Sequence, residues 1–538
     1  MKLLSLLLLI ALVEKSFAQV DVESGATSEV PIKRHYASLA VEWQGVNRMF
    51  LQDYTKVEDT AQVTRGMLND RALELVRNLG VASKNKESAI AVIRVGGNSA
   101  TRMYWKPSLA PWSGVAEDMV PVGPLELRVL NQVALETNTR LLLNIGMRTS
   151  SPSGTYTNQI LEAIRDNINP LILEGIELGN EPDHYNDNGN LFRPITYNYD
   201  SFLLEYREYA QVSNTILPGV AVAGPGMDPG NFDGRATTFS SDASPTSVGF
   251  VTLHTYELPA CNVSLSYTLE DLLAYVPSRY ERLTETVRTT KAANPETQVI
   301  FSEFGSASCG GVPGVSNAFG SGLWVLRAAF ETAFRGIDYA CFSGSPQAAY
   351  GPITRTPRIN GVQTTTINPA YYGLLMFNLA TAGANTAIFP VASGNSRVHY
   401  WVARNAESTT LVVINTQNSA VSGTVKVPFG NIHGQVIRLS SPGGAAALAE
   451  FSLGGLDFNA VGVSTSTEEK LSLVGGSEAP FDVAAESVMA LRMSVNDLGS
   501  FLPDSIIQSA APETNSAISG STISLLVFAA SVVFMLLH

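Results

Sequence analysis

The stretch GIELGNEP, residues 175–182, most directly indicates the fold of this chain of 538 residues. It reads as a short apolar strand that ends in Gly179, Asn180 and Glu181. Similar runs bounded by Gly, Pro or Asn recur along the chain and are almost continuously hydrophobic, as expected of parallel strands buried on both faces. Eight such strands are predicted, at residues 36–43, 90–96, 140–146, 175–180, 219–224, 248–256, 298–305 and 337–343.

Amphipathic stretches separate these strands and predict helices at residues 61–78, 125–136, 199–217, 269–293 and 316–335. Alternation of eight strands with helices predicts an α/β fold, a (β/α)₈ TIM barrel over residues 34–383. A doubly wound open sheet is the alternative. The count of eight, and the polar residues that end several strands, favour the barrel.

The pattern changes after a predicted helix near residues 369–382. From about residue 387 to 493, Val, Thr and Ile alternate with polar residues between Gly, Ser and Asn turns, which predicts an antiparallel β-sandwich. This domain is predicted to comprise residues 384–495 together with residues 19–33, which can add a strand to it. Residues 496–522 are rich in Ser, Pro, Ala and Asn and predict a stalk.

Composition and charge narrow the function classes. Hydrophobic residues make up 45% and charged residues 15%, which excludes a disordered chain. The 35 basic and 48 acidic residues give a net charge of −13, and the sequence has no Lys/Arg run. This composition argues against nucleic acid as a partner. Three cysteines exclude a scaffold held by many disulfides.

The first residues predict a secretory signal peptide over residues 1–18, cleaved after Ala18. The alternative is a transmembrane helix, but the apolar run ends at Glu14 and is too short for one. Secretion makes the Asn262-Val263-Ser264 sequon a candidate glycosylation site on Asn262.

The last residues have the layout of a GPI-anchor signal. An apolar tail at residues 523–538 follows small and polar residues. Ser509 or Asn515 is the candidate attachment site, and the spacer length favours Ser509. A plain C-terminal membrane anchor is the alternative. Both predict a protein held on the outer face of the plasma membrane or in the cell wall.

Polar side chains mark the carboxyl ends of the predicted barrel strands, where barrel enzymes carry their catalytic groups. Two carboxylates, Glu181 and Glu303, follow strands four and seven and are expected to face one cavity. Hydrolysis of a glycosidic bond needs such a pair, one to protonate the leaving oxygen and one to attack the anomeric carbon or activate water. The alternative is that these are rim residues that pair with Arg94 or cap a helix.

Other polar residues are predicted to complete the site. Asn180 is placed to donate a hydrogen bond to a sugar hydroxyl, and Tyr256 to the carboxylate of Glu303. His254 and Tyr256 lie two apart on strand six and therefore point to the same side. The alternative is that both are ordinary core residues. No His/Cys cluster has metal-ligand spacing, so neither a metal nor a cofactor is expected.

Four motifs together resemble glycoside hydrolase family 79, the β-glucuronidases and heparanases, within the large superfamily of retaining barrel glycosidases. They are IELGNEPDHY (176–185), IFSEFGSASCGG (300–311), VIRVGGNSA (92–100) and INPAYYGLL (367–375), with Tyr350 in the loop after strand eight. The resemblance covers about residues 35–495.

The resemblance implies that Glu181 is the acid/base and Glu303 the nucleophile. It further implies that Glu42, Asn98 and Ser99 bind sugar hydroxyls. Gly311 and Tyr350 are implied to bind the uronic carboxylate. A protonated acid at the start of the reaction predicts a raised pKa for Glu181 in the free enzyme and an acidic optimum.

The cysteines fit this arrangement. Cys261 and Cys309 follow strands six and seven and are predicted to bridge loops at the mouth of the site. Cys341 lies inside strand eight and predicts a buried thiol. Three unbridged thiols are the alternative.

The sequence therefore predicts a monomeric, exo-acting β-glucuronidase that retains configuration and takes a glucuronide as substrate. Within enzymes, the alternatives are another retaining glycosidase, such as a xylosidase or glucosidase, and an endo-acting heparanase-like enzyme. An alternative of another class is a membrane-tethered carbohydrate-binding or wall-organising protein.

Overall fold

The computed structural model describes residues 16–23, 29–32, 35–54, 62–82, 90–106, 119–147, 155–186, 193–262, 264–274, 276–356, 363–426, 431–459, 469–474, 478–496 and 500–509. Eight parallel strands close into a barrel in the order of the sequence, which confirms the predicted fold class. They are β1 Ala37–Glu42, β2 Val92–Gly96, β3 Arg140–Ile145, β4 Leu173–Leu178, β5 Val222–Met227, β6 Val248–Leu258, β7 Gln298–Ala307 and β8 Tyr339–Ser343.

Nearly every residue of these strands is buried, because the barrel interior covers one face and the surrounding helices cover the other. The interior is filled by side chains rather than left open, as in other small barrels. One buried cluster fills it with residues from seven of the eight strands: Ala40, Val92, Leu142, Ala223, Phe250, Ile300, Tyr339 and Cys341.

Helices follow the strands and surround the barrel. They are α1 Asp70–Ala82, α2 Pro124–Thr137, α3 Thr155–Asn167, α4 Tyr199–Ile216, the short α5 Phe239–Asp242, α6 Glu281–Ala293, α7 Phe319–Phe334 and α8 Pro369–Ala380. Local sequence sets their ends. In α2, Pro124 begins the helix, Glu126 accepts a hydrogen bond from the Gly123 N–H, and Asn138 ends it in the left-handed conformation.

The second domain is a β-sandwich. Its larger sheet is formed, in order, by Val30–Pro31, Ala387–Val391, Val398–Arg404, Thr409–Asn415, Ser487–Ser494, Asn431–Ser440 and Ser452–Leu453, with Glu469–Val474 paired to Asn431–Ser440. The smaller sheet contains Ser16–Asp21, Val421–Lys426 and Glu478–Val483. Ser16–Asp21 pairs in parallel with Val421–Lys426, so the sandwich is antiparallel except at this strand.

The sandwich packs against α7 and α8, which explains why these two helices are buried almost all round. The ring of Phe330 stacks on that of Trp401 with centroids 5.2 Å apart. Helix α7 therefore packs between the barrel strands and the second domain. It follows β7, the strand that contains Glu303, along the chain.

The start of the predicted stalk is wrong. Residues 504–509 form a helix, Asp504–Ser509, and Phe501, Leu502 and Ile506 are buried. Asn78 of α1 donates a hydrogen bond of 2.6 Å to the hydroxyl of Ser509. Packing of these apolar side chains outweighs the polar composition that suggested a stalk.

Ser509 is only 1% exposed, a position that does not suit the attachment of an anchor. The alternative site Asn515, the apolar tail at 523–538 and most of the predicted signal peptide lie outside the described residues. Among the residues that are described, no helix combines the length and the apolar character needed to cross a membrane.

Candidate active site

A cleft of about 960 Å³ opens at the carboxyl ends of the barrel strands. Two of the predicted site residues, Ser99 and Gly311, are not part of its lining. Ser99 is completely buried beneath Glu42, and Gly311 lies behind the backbone of Tyr350. The predicted residues that do line the cleft are Glu42, Asn98, Asn180, Glu181, His254, Tyr256, Glu303 and Tyr350.

Glu181 and Glu303 face each other across this cleft. Their nearest carboxylate oxygens, together with a ring nitrogen of His254, all lie within 4.8 Å of one another. Retaining glycosidases place their carboxyl groups about 5–5.5 Å apart, and inverting enzymes about 6.5–9.5 Å apart. One oxygen of each carboxylate lies within 4.8 Å of the other, so this arrangement is nearer to the spacing of a retaining pair than to that of an inverting pair.

The backbone fixes both carboxylates. Glu303 lies within β7, in register with His254 of β6 after an irregularity in the pairing between Leu253 and His254. Glu181 follows β4 in the left-handed conformation, with φ of 49°, and its N–H donates to the carbonyl oxygen of Gly226 at 2.8 Å. A strained conformation of this kind persists only where neighbouring structure determines it.

Two donors hold the carboxylate of Glu303. The hydroxyl of Tyr256 donates to its Oε1 at 2.6 Å, and Nη1 of Arg94 donates to its Oε2 at 2.9 Å. Burial and the negative charge of Glu303 raise the pKa of Tyr256 well above its usual value, so the phenol remains a donor. Both contacts fix the orientation of this carboxylate in the cleft.

The environment of Glu181 differs from the expectation. Burial raises its pKa, but the hydrogen bond and the charge of His254, with smaller contributions from His184 and Arg94, outweigh burial and lower it. Nδ1 of His254 lies 3.2 Å from Oε1 of Glu181. The predicted raised pKa of Glu181 is thus wrong for the free protein, because the partner that lowers it is 73 residues away in sequence and cannot be placed by pattern alone.

Arg94 contacts residues of both β4 and β7. It lies in β2, is 1% exposed, and donates to Glu177 through Nε at 2.8 Å and to Asn180 through Nη2 at 3.0 Å, besides its contact with Glu303. Glu303 therefore pairs with Arg94, as the alternative interpretation of the sequence suggests, and also faces Glu181 across the cleft. The side-chain oxygen of Asn180 accepts this hydrogen bond from Arg94, and its amide nitrogen donates to Oδ1 of Asn98 at 3.4 Å.

Glu42 ends β1 at the floor of the cleft. The backbone N–H of Ser99 donates to its Oε2 at 2.8 Å, and the Ser99 hydroxyl makes a second contact. Burial and the charge of Glu303 raise the pKa of Glu42 despite these hydrogen bonds. A Cβ on Gly97, which has φ of 73°, would lie 2.4 Å from Oε1 of Glu42, so only glycine leaves room for this carboxylate. Ser99 therefore positions Glu42 rather than touching the cleft.

Tyr350 closes the cleft beside Glu303. Its ring lies 5.8 Å from that of Tyr256. The preceding residue, Ala349, donates to the carbonyl oxygen of Gly310 at 2.7 Å, and a Cβ on Gly311 would lie 2.8 Å from the Tyr350 nitrogen. Gly311 thus supports Tyr350 by allowing the two loops to approach closely.

A disulfide joins Cys261 and Cys309, the two cysteines for which the sequence predicts a bridge. It links the loop after β6 to the loop after β7, one residue before Gly310. Cys341 is a buried thiol in β8. Asn262 beside the bridge is exposed, as glycosylation would require, and its Oδ1 accepts a hydrogen bond from the Ser264 backbone at 3.0 Å.

Sequence reasoning missed two buried carboxylates next to the site. Glu177 of β4 pairs with Arg94, and Asp183 follows Glu181 by two residues. Burial raises the pKa of Asp183 to about 6, although His184 and a hydrogen bond from Asn231 act against it. A signal existed for Glu177, since a charged residue within a buried parallel strand needs a buried partner, and Arg94 lies in the same kind of strand.

The ligand atoms of Glu181, His254 and Glu303 lie close enough to surround a small cation. Arg94 and His254 both hydrogen-bond to these carboxylates, and this set of donors suits proton transfer and nucleophilic attack.

No protein-family model matches the chain, and no curated protein sequence matches it. Solved structures share its architecture. A 4-O-α-L-rhamnosyl-β-D-glucuronidase from Fusarium oxysporum 12S superimposes with a TM-score of 0.68 at 15% identity, over 86% of this chain and 97% of that one. The fold that this chain shares with that enzyme is a (β/α)₈ barrel with a second, β-rich domain.

Two solved structures with lower TM-scores share the same fold. An α-L-arabinofuranosidase from Thermotoga maritima gives a TM-score of 0.60 at 12% identity, over 89% of this chain and 99% of that one. A family 44 xyloglucanase from Paenibacillus polymyxa gives 0.54 at 12% identity, with the same coverage. At these identities the likeness establishes the fold, and the resemblance to family 79 stays a prediction.

Proposed function

We propose that the protein is a retaining glycoside hydrolase that releases terminal β-linked glucuronic acid. One observation carries the proposal. One carboxylate oxygen of Glu181, which follows β4, and one of Glu303 on β7 lie within 4.8 Å; two donors hold Glu303, and His254 is the partner of Glu181. This asymmetry assigns different roles to the two groups.

The reaction follows from these roles. Glu303 attacks the anomeric carbon as the bond to the leaving oxygen breaks, and the leaving oxygen takes a proton from Glu181. Glu181, now ionised, removes a proton from water, which displaces Glu303 from the sugar. Two inversions give net retention of the β configuration.

Glucuronic acid as the substrate is supported by the surroundings of Glu303. Burial and the charges of Glu303 and Glu42 raise the pKa of Tyr350, which keeps its phenol a hydrogen-bond donor at the edge of the cleft. A neutral donor can bind a uronic carboxylate without forming an ion pair with Glu303. The Fusarium neighbour is itself named a glucuronidase.

We also propose that the enzyme acts outside the cell, with a signal peptide at its start and a GPI-type anchor attached at Asn515. The disulfide between Cys261 and Cys309 supports this location, because such bonds persist in oxidising compartments. Treatment of expressing cells with phosphatidylinositol-specific phospholipase C should release the protein. Retention on the membrane after treatment would indicate a peptide anchor instead.

The substrate is tested with a panel of p-nitrophenyl glycosides: β-glucuronide, β-glucoside, β-xyloside, β-galactoside and α-L-arabinofuranoside. We expect release from the β-glucuronide alone, and loss of this release in Glu303→Gln. Glu174→Gln is the matched control, since Glu174 is a buried, Arg-paired carboxylate at the opposite end of β4. Release from a neutral sugar alone would keep the mechanism and reject glucuronic acid. No release from any substrate would favour a binding protein or an enzyme that needs a longer chain.

A further inference from the structure

Asp183 is a buried carboxylate that the proposed reaction does not use. Its side chain is 2% exposed and is not part of the lining of the cleft. Nδ2 of Asn231 donates to its Oδ2, and Nε2 of His184 lies 3.6 Å from the same oxygen. Both of these partners line the cleft. A carboxylate is costly to bury unless it is paired, and the pairing of Asp183 fixes two side chains of the cleft wall.

The contact between Asp183 and Asn231 joins two neighbouring loops. Asp183 and His184 lie in the loop after β4, directly beyond Glu181, and Asn231 lies in the loop after β5. The N–H of Glu181 donates to the carbonyl oxygen of Gly226 at 2.8 Å, which ties the end of β4 to β5 a second time. The wall of the cleft beyond Glu181 is therefore held at two points.

These two loops form one end of the cleft. Strands β4 and β5 are neighbours in the barrel, whereas β7, β8 and β1 are neighbours on the other side and position Glu303, Tyr350 and Glu42. In the proposed reaction the sugar bonds to Glu303, and the leaving group lies next to Glu181, which protonates it. The end formed by the loops after β4 and β5 is therefore expected to receive the leaving group.

The side chains of Asn231 and Asp228 offer hydrogen-bond acceptors at this end. Because Nδ2 of Asn231 donates to Asp183, its Oδ1 is left to accept a hydrogen bond. Asp228 also lines the cleft, and its Oδ1 accepts from the Gly230 N–H at 2.7 Å, which leaves Oδ2 as a second acceptor. The Asn231 N–H donates to the carbonyl oxygen of Asp228 at 3.1 Å and so fixes the two residues in one turn. Two such acceptors suit a group that carries hydroxyls.

We propose that Asn231 and Asp228 bind hydroxyl groups of the leaving sugar, and that Asp183 is a positioning residue that acts through Asn231. This inference rests on the proposed glycosidase function and names its substrate as glucuronic acid linked to another sugar, rather than to an alkyl or aromatic group. The cleft volume of about 960 Å³ lies near the upper end of the range for ligand sites, roughly 300–1,000 Å³, as a substrate longer than one sugar requires.

Asn231→Ala tests this subsite on two glucuronides whose leaving groups both need the acid. One is a disaccharide of glucuronic acid β-linked to glucose, and the other is methyl β-glucuronide, whose leaving group has no further hydroxyl. We expect kcat/KM to fall about 3- to 10-fold on the disaccharide, as for the loss of one hydrogen bond, and less than about 2-fold on methyl β-glucuronide. Equal losses on the two substrates, or no loss on either, would overturn the subsite.

Asn186→Ala is the matched control. Asn186 is half-buried in the same loop as Asp183, is not part of the lining of the cleft, and donates to the carbonyl oxygen of Tyr197 at 2.8 Å. Its substitution should leave both rates unchanged.

Variants of Asp183 test the positioning role. Asp183→Ala removes the acceptor for Asn231 and should lose as much on the disaccharide as Asn231→Ala, with no further loss when the two are combined. Asp183→Asn keeps an acceptor at this position and should retain most of the rate. A loss in Asp183→Ala that is equal on methyl β-glucuronide would place the effect on Glu181 and would contradict a role through Asn231.

Binding of the disaccharide separates failure of this inference from failure of the proposed function. In calorimetry with Glu303→Gln, which lacks the nucleophile, addition of Asn231→Ala should weaken binding of the disaccharide about 3- to 10-fold. That result, without hydrolysis of any glucuronide by the wild-type protein, would reject the proposed function and keep the subsite. Absence of binding, or equal affinity with and without Asn231→Ala, would reject the subsite.

Discussion

Removal of the Tyr256 hydroxyl by Tyr256→Phe should slow the reaction without weakening substrate binding. The hydroxyl donates to Oε1 of Glu303 at 2.6 Å and also contacts Ser343 at 2.9 Å. The ring itself packs on Tyr350 and is retained in phenylalanine. The change therefore removes one hydrogen bond to the nucleophile and little packing.

The magnitude follows from the charge on the acceptor. A hydrogen bond to a charged group contributes about 1.5–3 kcal/mol, and this contact holds the carboxylate in the orientation from which it attacks, so its loss should lower the rate of attack by up to roughly 10- to 150-fold. The KM for p-nitrophenyl β-glucuronide should change by less than about 3-fold.

The matched control is Tyr280→Phe. Tyr280 is also buried and donates to a buried glutamate, Glu257, at 3.2 Å, away from the cleft. Both variants should lose about 1–3 kcal/mol of stability from an unpaired buried group, measured by denaturant unfolding, and only Tyr256→Phe should lose activity. Full activity of Tyr256→Phe, or an effect confined to KM, would refute the role assigned to this hydrogen bond.

Three further perturbations have definite expected outcomes. Gly97→Ala places a methyl group against the carboxylate of Glu42 at a left-handed backbone position, so kcat/KM should fall at least about 10-fold. Gly66 has open space around it, so Gly66→Ala should leave kcat/KM unchanged. Equal kcat/KM values for the two variants would contradict the tight fit around Gly97. Asp183→Asn tests linkage. With a folded pKa of about 6, above its unfolded value, wild-type Asp183 contributes stability that is present below about pH 4 and lost as pH rises through 6. The asparagine variant should therefore gain up to about 3 kcal/mol relative to wild type at pH 7.5 compared with pH 4, and a gain that does not vary with pH would refute this sign. Cys261→Ser opens a loop of 48 residues, so the free energy of unfolding should fall by about 2–5 kcal/mol and KM should rise more than kcat falls. If reductant leaves the melting temperature of the wild-type protein unchanged, the disulfide does not constrain the fold.

The barrel could be predicted because its strands are marked by a simple contrast between apolar runs and the polar residues that end them. Boundaries failed where the backbone departs from the usual signals. The fifth strand was predicted at 219–224 and lies at Val222–Met227, because Gly224-Pro225 reads as a turn. In the structure the strand continues, and the Gly226 N–H finds its partner in the side chain of Thr252 at 2.9 Å.

One further wrong boundary has a local cause. The helix predicted at 269–293 is divided into Leu269–Leu273 and Glu281–Ala293, with Pro277 between them. Proline lacks the N–H that a continuous helix would need at this point.

Glu181 and Glu303, the proposed catalytic carboxylates, could be placed from the sequence because each ends or lies within a strand of the barrel, so the topology brings them together. Their protonation states could not be predicted from the sequence. It depends on distances from His254 and Arg94, which come from strands far apart in the chain. The role of Ser99 was likewise beyond a pattern, since only the fold shows that it lies beneath Glu42.

The stereochemistry of the first product tests the central claim most directly. Hydrolysis of p-nitrophenyl β-D-glucuronide is followed by ¹H NMR at early times, before the free sugar equilibrates between its anomers. Carboxylate oxygens within 4.8 Å predict that the β anomer appears first, through a covalent intermediate on Glu303. Initial formation of the α anomer would show a single displacement by water, and would contradict both the assignment of Glu303 as nucleophile and the mechanism built on it.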